Sequence, residues 1–198
     1  MFLDPHRNVH KYRDRLPHWH QDDTGVFLTW RLADSLPKSV LDQYKALRDD
    51  WLCRNAKPWS MEQAIEYNRK FILPLEAKLD AHHGECVLRS RQISDIVSGA
   101  FHYFDASRYQ LEAYVVMPNH VHLLIILRHP FQLDQVVQSI KSYTAKEINR
   151  ALGKNGKLWQ RGYWDRLIRS EQHLTWTREY IAKNPRGLAP GHYRLWGV

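Results

Sequence analysis

The spacing of apolar residues changes several times along the chain and predicts alternating strands and helices. The segment "GVFLTWRLA", Gly25 to Ala33, alternates and is rich in β-formers, which predicts a first strand. Two more strands are predicted in "YQLEAYVVM" and "HVHLLIIL", because the "PN" between them is a turn signal that joins antiparallel neighbours. A fourth strand is predicted within "LWQRGYWDRLIRS".

Helical spacing predicts three helices around these strands. The first runs from about Gln92 to Asp105 and the second from about Leu133 to Leu152. The last, "EQHLTWTREYIAKN", is capped by Ser170 and stopped by Pro185. The first six elements match the split βαβ order, so we expect an α+β, ferredoxin-like antiparallel sheet with helices on one face and an added C-terminal helix. The predicted inner side of the second helix comprises Val136, Ile140, Tyr143, Thr144 and Ile148.

A helical insertion is predicted after the first strand, at about 37–83. Its first helix has apolar residues at helical spacing, and Pro74 should kink or restart the second. Ser60 and Gln63 have the spacing of a capping box at the start of that second helix. The apolar stripe of the first helix comprises Val40, Tyr44, Leu47 and Trp51.

Length and composition favour one globular domain, 1–198, over a disordered chain or two independent domains. Hydrophobic residues make up 43% of the 198 residues. The longest aliphatic run, "LLIIL", is far below the roughly 20 residues of a membrane span. The N-terminal "MFLDPHRNVHKYRD" lacks the apolar segment of a secretory signal, so we expect a cytoplasmic protein whose Cys53 and Cys86 are reduced.

Charge is distributed unevenly along the chain. Residues 1–140 contain 17 Lys+Arg and 17 Asp+Glu, whereas residues 141–198 contain 12 and 4. The whole net charge of +8 therefore lies in the C-terminal part, which is typical of nucleic-acid binding, with a solvated basic face as the alternative. Interleaved aromatic residues favour unpaired bases as the ligand. The candidate DNA-binding residues are Lys141, Arg161, Arg166, Arg169 and Lys183.

Two histidines lie in one of the most apolar runs, "YVVMPNHVHLLIIL". Residues i and i+2 of a strand point to the same face, so His120 and His122 project two imidazoles side by side. This is a metal-ligand geometry, and two hydrogen-bonded core histidines are the alternative. Tyr180 and Asn184 have i, i+4 spacing on the last helix and share one of its faces. If that face packs on the sheet, the four side chains converge; a core tyrosine and a helix stop are the alternatives.

Five segments resemble a known protein family. "MPNHVHLL" is similar to the His-hydrophobe-His motif of the HUH single-strand endonucleases, and "YIAKNPRGLA" resembles the segment bearing their catalytic tyrosine. The closest resemblance is to the REP-associated tyrosine transposases, and it covers nearly the whole chain. The other matching segments are "FLTWRLADSLP", "GECVLRSRQISDIV" and "LWQRGYWDRLIRSEQHL".

The resemblance implies a function and a set of roles. Tyr180 would be the nucleophile, and His120, His122 and Asn184 would hold a divalent metal, Mg²⁺ or Mn²⁺, although many relatives have Gln where Asn184 stands. The implied enzyme is an HUH-type tyrosine transposase, a single-stranded DNA endonuclease and strand transferase. It would act at hairpin DNA with flanking guide sequence, such as REP elements, through a 5′-phosphotyrosine intermediate. We expect a monomer in preference to a homodimer.

Several alternatives compete with this reading. A non-catalytic binder of structured single strands on the same scaffold is the main one, and an RNA-binding module is disfavoured because an RNP-like pattern is absent from the sequence. Tyr143 is a rival nucleophile with Glu147 at i+4, but its stripe predicts packing. The group His82, His83 and Cys86 is a weak zinc signal.

Overall fold

The computed structural model of the chain describes residues 1–4, 6, 10–13, 17–56 and 59–198. It divides into two compact units. The first comprises Met1–Ala33 with Val87–Val198, and the second comprises Asp34–Cys86. The helices of the second unit lie inside the predicted insertion at about 37–83. None of the helices in the described ranges is long and apolar enough to cross a membrane.

The first unit is built on a five-stranded antiparallel sheet. After a hairpin formed by β1 and β2 (His10–Arg13 and Pro17–His20), the sheet strands are β3 (Gly25–Arg31), β4 (Tyr109–Val116), β5 (His120–Leu127), β6 (Trp164–Leu167) and β7 (Arg194–Trp196). Their order is β6-β3-β5-β4-β7, so the four predicted strands lie in the ferredoxin-like order, with β7 added at one edge. The predicted α+β class and ferredoxin-like sheet are confirmed.

Helices cover both faces of this sheet. The helices of the first unit are α4 (Arg91–Tyr103), α5 (Leu133–Leu152) and α6 (Glu171–Lys183), and a 3₁₀ turn, Val87–Arg89, precedes α4. The larger core joins α4 and α5 to one face. Helix α6 packs on the other face, where a smaller core includes Phe27, Ala113, Val115, Leu124, Leu174 and Ile181. Because β5 is central and buried on both faces, its sequence is almost continuously apolar.

The second unit contains α1 (Lys38–Arg54), α2 (Met61–Tyr67), a π-helical segment (Asn68–Ile72) and α3 (Leu73–Leu79). The predicted capping box is present, since Gln63 N donates to Ser60 Oγ at 3.2 Å and Ser60 N donates to Gln63 Oε1 at 2.9 Å. Pro74 lies at the start of α3, directly after the π-helical segment, as its helix-restarting role predicts. Aromatic side chains form much of the core of this unit, including Trp51, Trp59, Tyr67 and Phe71.

Of the sequence predictions about individual elements, the packing of Tyr143 is wrong. Tyr143 was expected to pack, yet 53% of its surface is exposed, because it lies at the solvent edge of the apolar stripe of α5. In α1, Leu47 of the helically spaced stripe is 65% exposed, whereas Trp51 is buried. The last strand lies within 158–170, as predicted, and β6 spans Trp164–Leu167. The segment before it makes an isolated bridge, Leu32 with Trp159.

Candidate active site

His120 and His122 lie at the start of β5, and both side chains are 1% exposed. Their rings face the α6 side of the sheet, with centroids 4.8 Å apart and planes at 78°. In the strand register Thr29 of β3 lies opposite His122, and Arg31 lies opposite His120. The period of two along β5 therefore places both imidazoles on the face predicted from the sequence.

Hydrogen bonds fix the tautomer of each imidazole. Asn119 Oδ1 lies 2.8 Å from His120 Nδ1, and an amide oxygen only accepts, so His120 Nδ1 carries the proton. Asn184 Nδ2 donates to His122 Nε2 at 3.3 Å, which makes this nitrogen the acceptor. His122 Nδ1 then donates to Thr29 Oγ1 at 2.7 Å. Nε2 of His122 therefore bears a lone pair, which is the form that binds a metal, and Nε2 of His120 bears one when that ring is neutral.

The electrostatics of the site favour a neutral ring at His122. Burial, and then the neighbouring His120, lower the pKa of His122 well below its usual range. A neutral imidazole has a lone pair to donate, whereas an imidazolium has none. The core-histidine alternative accounts for the Nδ1 bonds, but it does not explain why a phenol and an amide both approach His122 Nε2.

Helix α6 brings that phenol and amide to the sheet. Ser170 Oγ accepts from His173 N at 3.2 Å, which confirms the predicted cap. Leu174 and Ile181 bury the sheet-facing side of the helix. On one flank Arg178 forms an ion pair with Glu112 of β4, whose side chain is only 8% exposed. These contacts fix the rotation of the helix about its axis.

Tyr180 lies on the opposite flank of α6, half-buried beside the histidines. Its Oη lies 3.5 Å from His122 Nε2, and the two ring centroids are 5.1 Å apart. Phe27 of β3 stacks on His122 at 5.4 Å and meets Tyr180 edge-on at 5.9 Å. The tyrosine ring is therefore held by two other rings, while its oxygen faces the lone pair of His122.

Asn184 caps the C-terminus of α6, where its backbone N donates to Tyr180 O at 3.0 Å. Its side chain is turned toward the histidines, as described above. Its Oδ1 is buried and accepts no hydrogen bond from any residue that the structure describes. A buried acceptor without a donor is costly unless a ligand satisfies it.

The donor set at this point fits a divalent cation. In the described parts of the chain, no three His, Cys, Asp or Glu side chains come together as a metal site. His120, His122 and Asn184 instead offer two imidazole nitrogens and one amide oxygen. Rotation of the amide by half a turn exchanges Nδ2 and Oδ1, which brings the unsatisfied oxygen toward His122 Nε2. A mixed nitrogen and oxygen set suits Mn²⁺ or Mg²⁺.

The predicted DNA-binding residues occupy different environments. Lys141 Nζ donates to Gln160 O at 2.8 Å and to Gly162 O at 2.6 Å, so it ties α5 to the loop before β6. Burial, and then the neighbouring Lys157 and Arg31, lower the pKa of Lys141 to about 8. Arg161, Arg166 and Arg169 are exposed, and exposed Lys183 pairs with Glu179. The structure thus gives Lys141 an internal role and leaves the other four side chains at the surface.

The two rival sites lack such an arrangement. Tyr143 is on α5, which covers the sheet face opposite the histidines, so it cannot reach them. Cys86 Sγ donates to the backbone oxygens of His82 and His83, at 3.0 and 3.7 Å. The thiol and the two histidine rings therefore do not form a metal site.

Thr29, Asn119 and Phe27 were not predicted from the sequence. The position of Asn119 directly before the histidine motif was the one available signal.

Comparisons with known proteins place the chain in a family. A family model described as "Transposase IS200 like" matches residues 86–184, half of the chain, including all four converging residues. A solved structure of a REP-associated tyrosine transposase bound to a REP hairpin is 15% identical, with a TM-score of 0.48 and 94% coverage of each chain. A candidate transposase from Deinococcus radiodurans R1 is 16% identical, with a TM-score of 0.33 and coverage of 92% of this chain and 98% of that one. No curated protein matches the sequence. The family match shows that this chain belongs to the IS200-like transposases.

Proposed function

We propose that the protein is a metal-dependent single-stranded DNA endonuclease and strand transferase that uses Tyr180 as its nucleophile. The observation that carries this proposal is the meeting of Tyr180 Oη and the Asn184 amide at His122 Nε2, at 3.5 and 3.3 Å. A transposase of this family must cut a phosphodiester bond and rejoin it. A phenol beside two imidazoles and an unsatisfied amide oxygen provides the groups that this reaction needs.

His120, His122 and Asn184 would hold Mg²⁺ or Mn²⁺. When bound, the cation would offset the charge that develops on the phosphate during attack and favour the phenolate of the nearby tyrosine. Thr29 and Asn119 hold the Nδ1 sides of the two rings and so keep each Nε2 lone pair directed into the site. Phe27 limits the positions open to the Tyr180 ring.

The covalent step exchanges one phosphodiester bond for another. Tyr180 Oη forms a bond to phosphorus while the bond from phosphorus to the 3′ oxygen breaks. The phenol loses its proton and the 3′ oxygen gains one, so atoms and charge balance. The products are a 5′-phosphotyrosine link and a free 3′-hydroxyl. Because the bond energy is retained in the link, a second 3′-hydroxyl can attack it and rejoin the strand.

The proposed substrate is hairpin DNA with a flanking single-stranded guide, such as a REP element. The charge distribution supports a polyanion, since residues 141–198 carry 12 Lys+Arg against 4 Asp+Glu. The preference for a hairpin rests on the resemblance of the quoted motifs. All four converging residues come from the same chain, which supports a complete site in a monomer.

The test is a denaturant-resistant adduct between the protein and end-labelled hairpin DNA in the presence of Mn²⁺. We expect an adduct with wild type and none with Tyr180→Phe, because Phe keeps the ring contacts and removes the reacting oxygen. Tyr143→Phe is the matched control and should leave the adduct unchanged. If the adduct persists in Tyr180→Phe, the nucleophile is wrong. If wild type forms none on hairpins with varied flanking sequence, the protein is a non-catalytic binder.

A further inference from the structure

Trp176 is an exposed aromatic residue on the helix that carries Tyr180. Its side chain is 60% exposed. A tryptophan usually buries most of its surface, so such exposure next to a functional site often marks a contact with a ligand. The site described above does not use this residue.

Helix geometry places Trp176 on the same flank as the nucleophile. It lies four residues before Tyr180, which corresponds to about 6 Å along the axis and puts the two side chains on one side of the helix. His173 precedes Trp176 by three residues and continues this row. Arg178, which pairs with Glu112, occupies the opposite flank. His173, Trp176 and Tyr180 are called the tyrosine flank below.

Cationic side chains border the tyrosine flank at its N-terminal end. Arg166 of β6 lies opposite Phe27 in the strand register, so it projects on the same sheet face as the histidines. The backbone N of Arg169 donates to His173 Nδ1 at 3.3 Å. Burial, and then Arg166 and Arg169, lower the pKa of His173, in agreement with the position of both arginines near this end of the helix.

Two exposed arginines, an exposed indole and the proposed nucleophile follow one another along this side of the helix. Such a row has the features of a single-strand binding path. Unpaired bases stack on aromatic rings while the phosphates contact cations. The axial rise of about 6 Å from Trp176 to Tyr180 is close to the spacing of successive nucleotides in an extended single strand. A base stacked on Trp176 would therefore belong to a nucleotide next to the cleaved bond.

We propose that Trp176 is the stacking platform for an unpaired base beside the cleaved phosphodiester, with Arg166 and Arg169 binding the adjoining phosphates. The proposal rests on the proposed function, because it places the cleaved bond at Tyr180. It adds a binding subsite for a nucleobase to the catalytic residues already described.

The test combines removal of the indole with removal of single bases. Binding is measured in the Tyr180→Phe background, without added metal, so that cleavage does not contribute. The probes are hairpins with a flanking single strand in which each nucleotide in turn is made abasic. We expect Trp176→Ala to weaken binding of the intact probe about ten-fold. One or two abasic positions should cause the same loss with Trp176 present and no further loss in Trp176→Ala.

Two control variants complete the design. Trp176→Phe should retain most of the affinity because the ring remains, and Tyr103→Ala should retain all of it, since Tyr103 is 79% exposed on α4 at the other sheet face. Additive losses for Trp176→Ala and every abasic position would overturn the stacking platform and leave the proposed function intact. Failure of the adduct assay while the coupling persists would overturn the catalytic proposal and leave the subsite.

Discussion

Tyr180 Oη and His122 Nε2 lie 3.5 Å apart although 58 positions separate the two residues in the chain. Asn184 makes a second contact with the same nitrogen, over a separation of 62 positions. One nitrogen at the start of a central strand therefore meets two side chains from successive turns of the last helix. This relationship generates the predictions that follow.

His120→Ala and His122→Ala should each lower cleavage at least 100-fold while retaining most of the affinity for hairpin DNA. Metal ligands act mainly on the transition state, whereas phosphate contacts elsewhere supply most of the binding. Cleavage, DNA affinity and the thermal midpoint of unfolding should be measured together. His102 is an exposed histidine of α4. His102→Ala is therefore the matched control and should cleave normally. Loss of the folded state in both ligand variants would instead support two core histidines.

Asn184→Ala should weaken cleavage in a way that added Mn²⁺ partly restores. Loss of one ligand of three lowers metal affinity before it destroys the site. The measurement is the cleavage rate as a function of Mn²⁺ concentration, and the expected change is a rightward shift of the curve. Without metal, the loss of the unsatisfied Asn184 Oδ1 should cost no stability, whereas the loss of the hydrogen bond from Nδ2 to His122 Nε2 should cost about 1 kcal/mol. A lower plateau with an unshifted curve would show that Asn184 does not bind the metal.

Thr29→Val should lower the affinity for Mn²⁺ about 10- to 100-fold, because it removes the acceptor that fixes the tautomer of His122. Titration of the DNA-free protein with Mn²⁺, followed by electron paramagnetic resonance, measures this directly. Thr144→Val is the matched control. Thr144 Oγ1 accepts from Trp159 Nε1 at 2.9 Å in the other core, so its loss should reduce stability and spare Mn²⁺ affinity. Equal Mn²⁺ affinity in wild type and Thr29→Val would contradict the role of the hydroxyl.

Lys141→Met should reveal the pH dependence of a buried ammonium. Burial lowers the pKa of Lys141 from 10.5 to about 8 in the folded protein. Between these pH values the unfolded chain binds a proton that the folded chain lacks, so the free energy of unfolding rises with pH. The destabilisation that the buried lysine causes is therefore fully present below pH 8. Relative to Lys141→Met, wild type should gain about 1 kcal/mol of unfolding free energy between about pH 8 and pH 9. Urea unfolding at several pH values measures it, and parallel curves for the two proteins would contradict the lowered pKa.

Long periodic segments made most of the fold predictable. Helix α5 was predicted at 133–152 and is observed there, and the strands around the "PN" turn were also correct. Short or polar elements were missed. Strand β7 has three residues and depends on pairing with β4, and the hairpin of β1 and β2 has no apolar alternation to reveal it. Tyr143 was placed in the core because the spacing of apolar residues shows which side of a helix is buried but does not show where the buried side ends.

The converging residues were predictable because each pair has a local spacing, i and i+2 on a strand or i and i+4 on a helix. Their hydrogen-bonding partners were not. Thr29 reaches His122 only because β3 and β5 pair in a particular register, which the spacing of apolar residues does not specify. The roles assigned to His120, His122, Tyr180 and Asn184 remain predictions, as do the metal and the DNA contacts.

The position of α6 gives the protein a built-in order of assembly. The histidines belong to the central strand, whereas Tyr180 and Asn184 come from a helix near the end of the sequence that packs on the smaller core. During synthesis β3, β4 and β5 emerge before α6, so the two histidines can be in place before Tyr180 and Asn184 join them. Detachment of α6 alone would likewise dismantle the site reversibly, at a lower free energy than global unfolding. If Tyr180 is the nucleophile, as proposed, the protein can cleave DNA only while this one short helix remains docked.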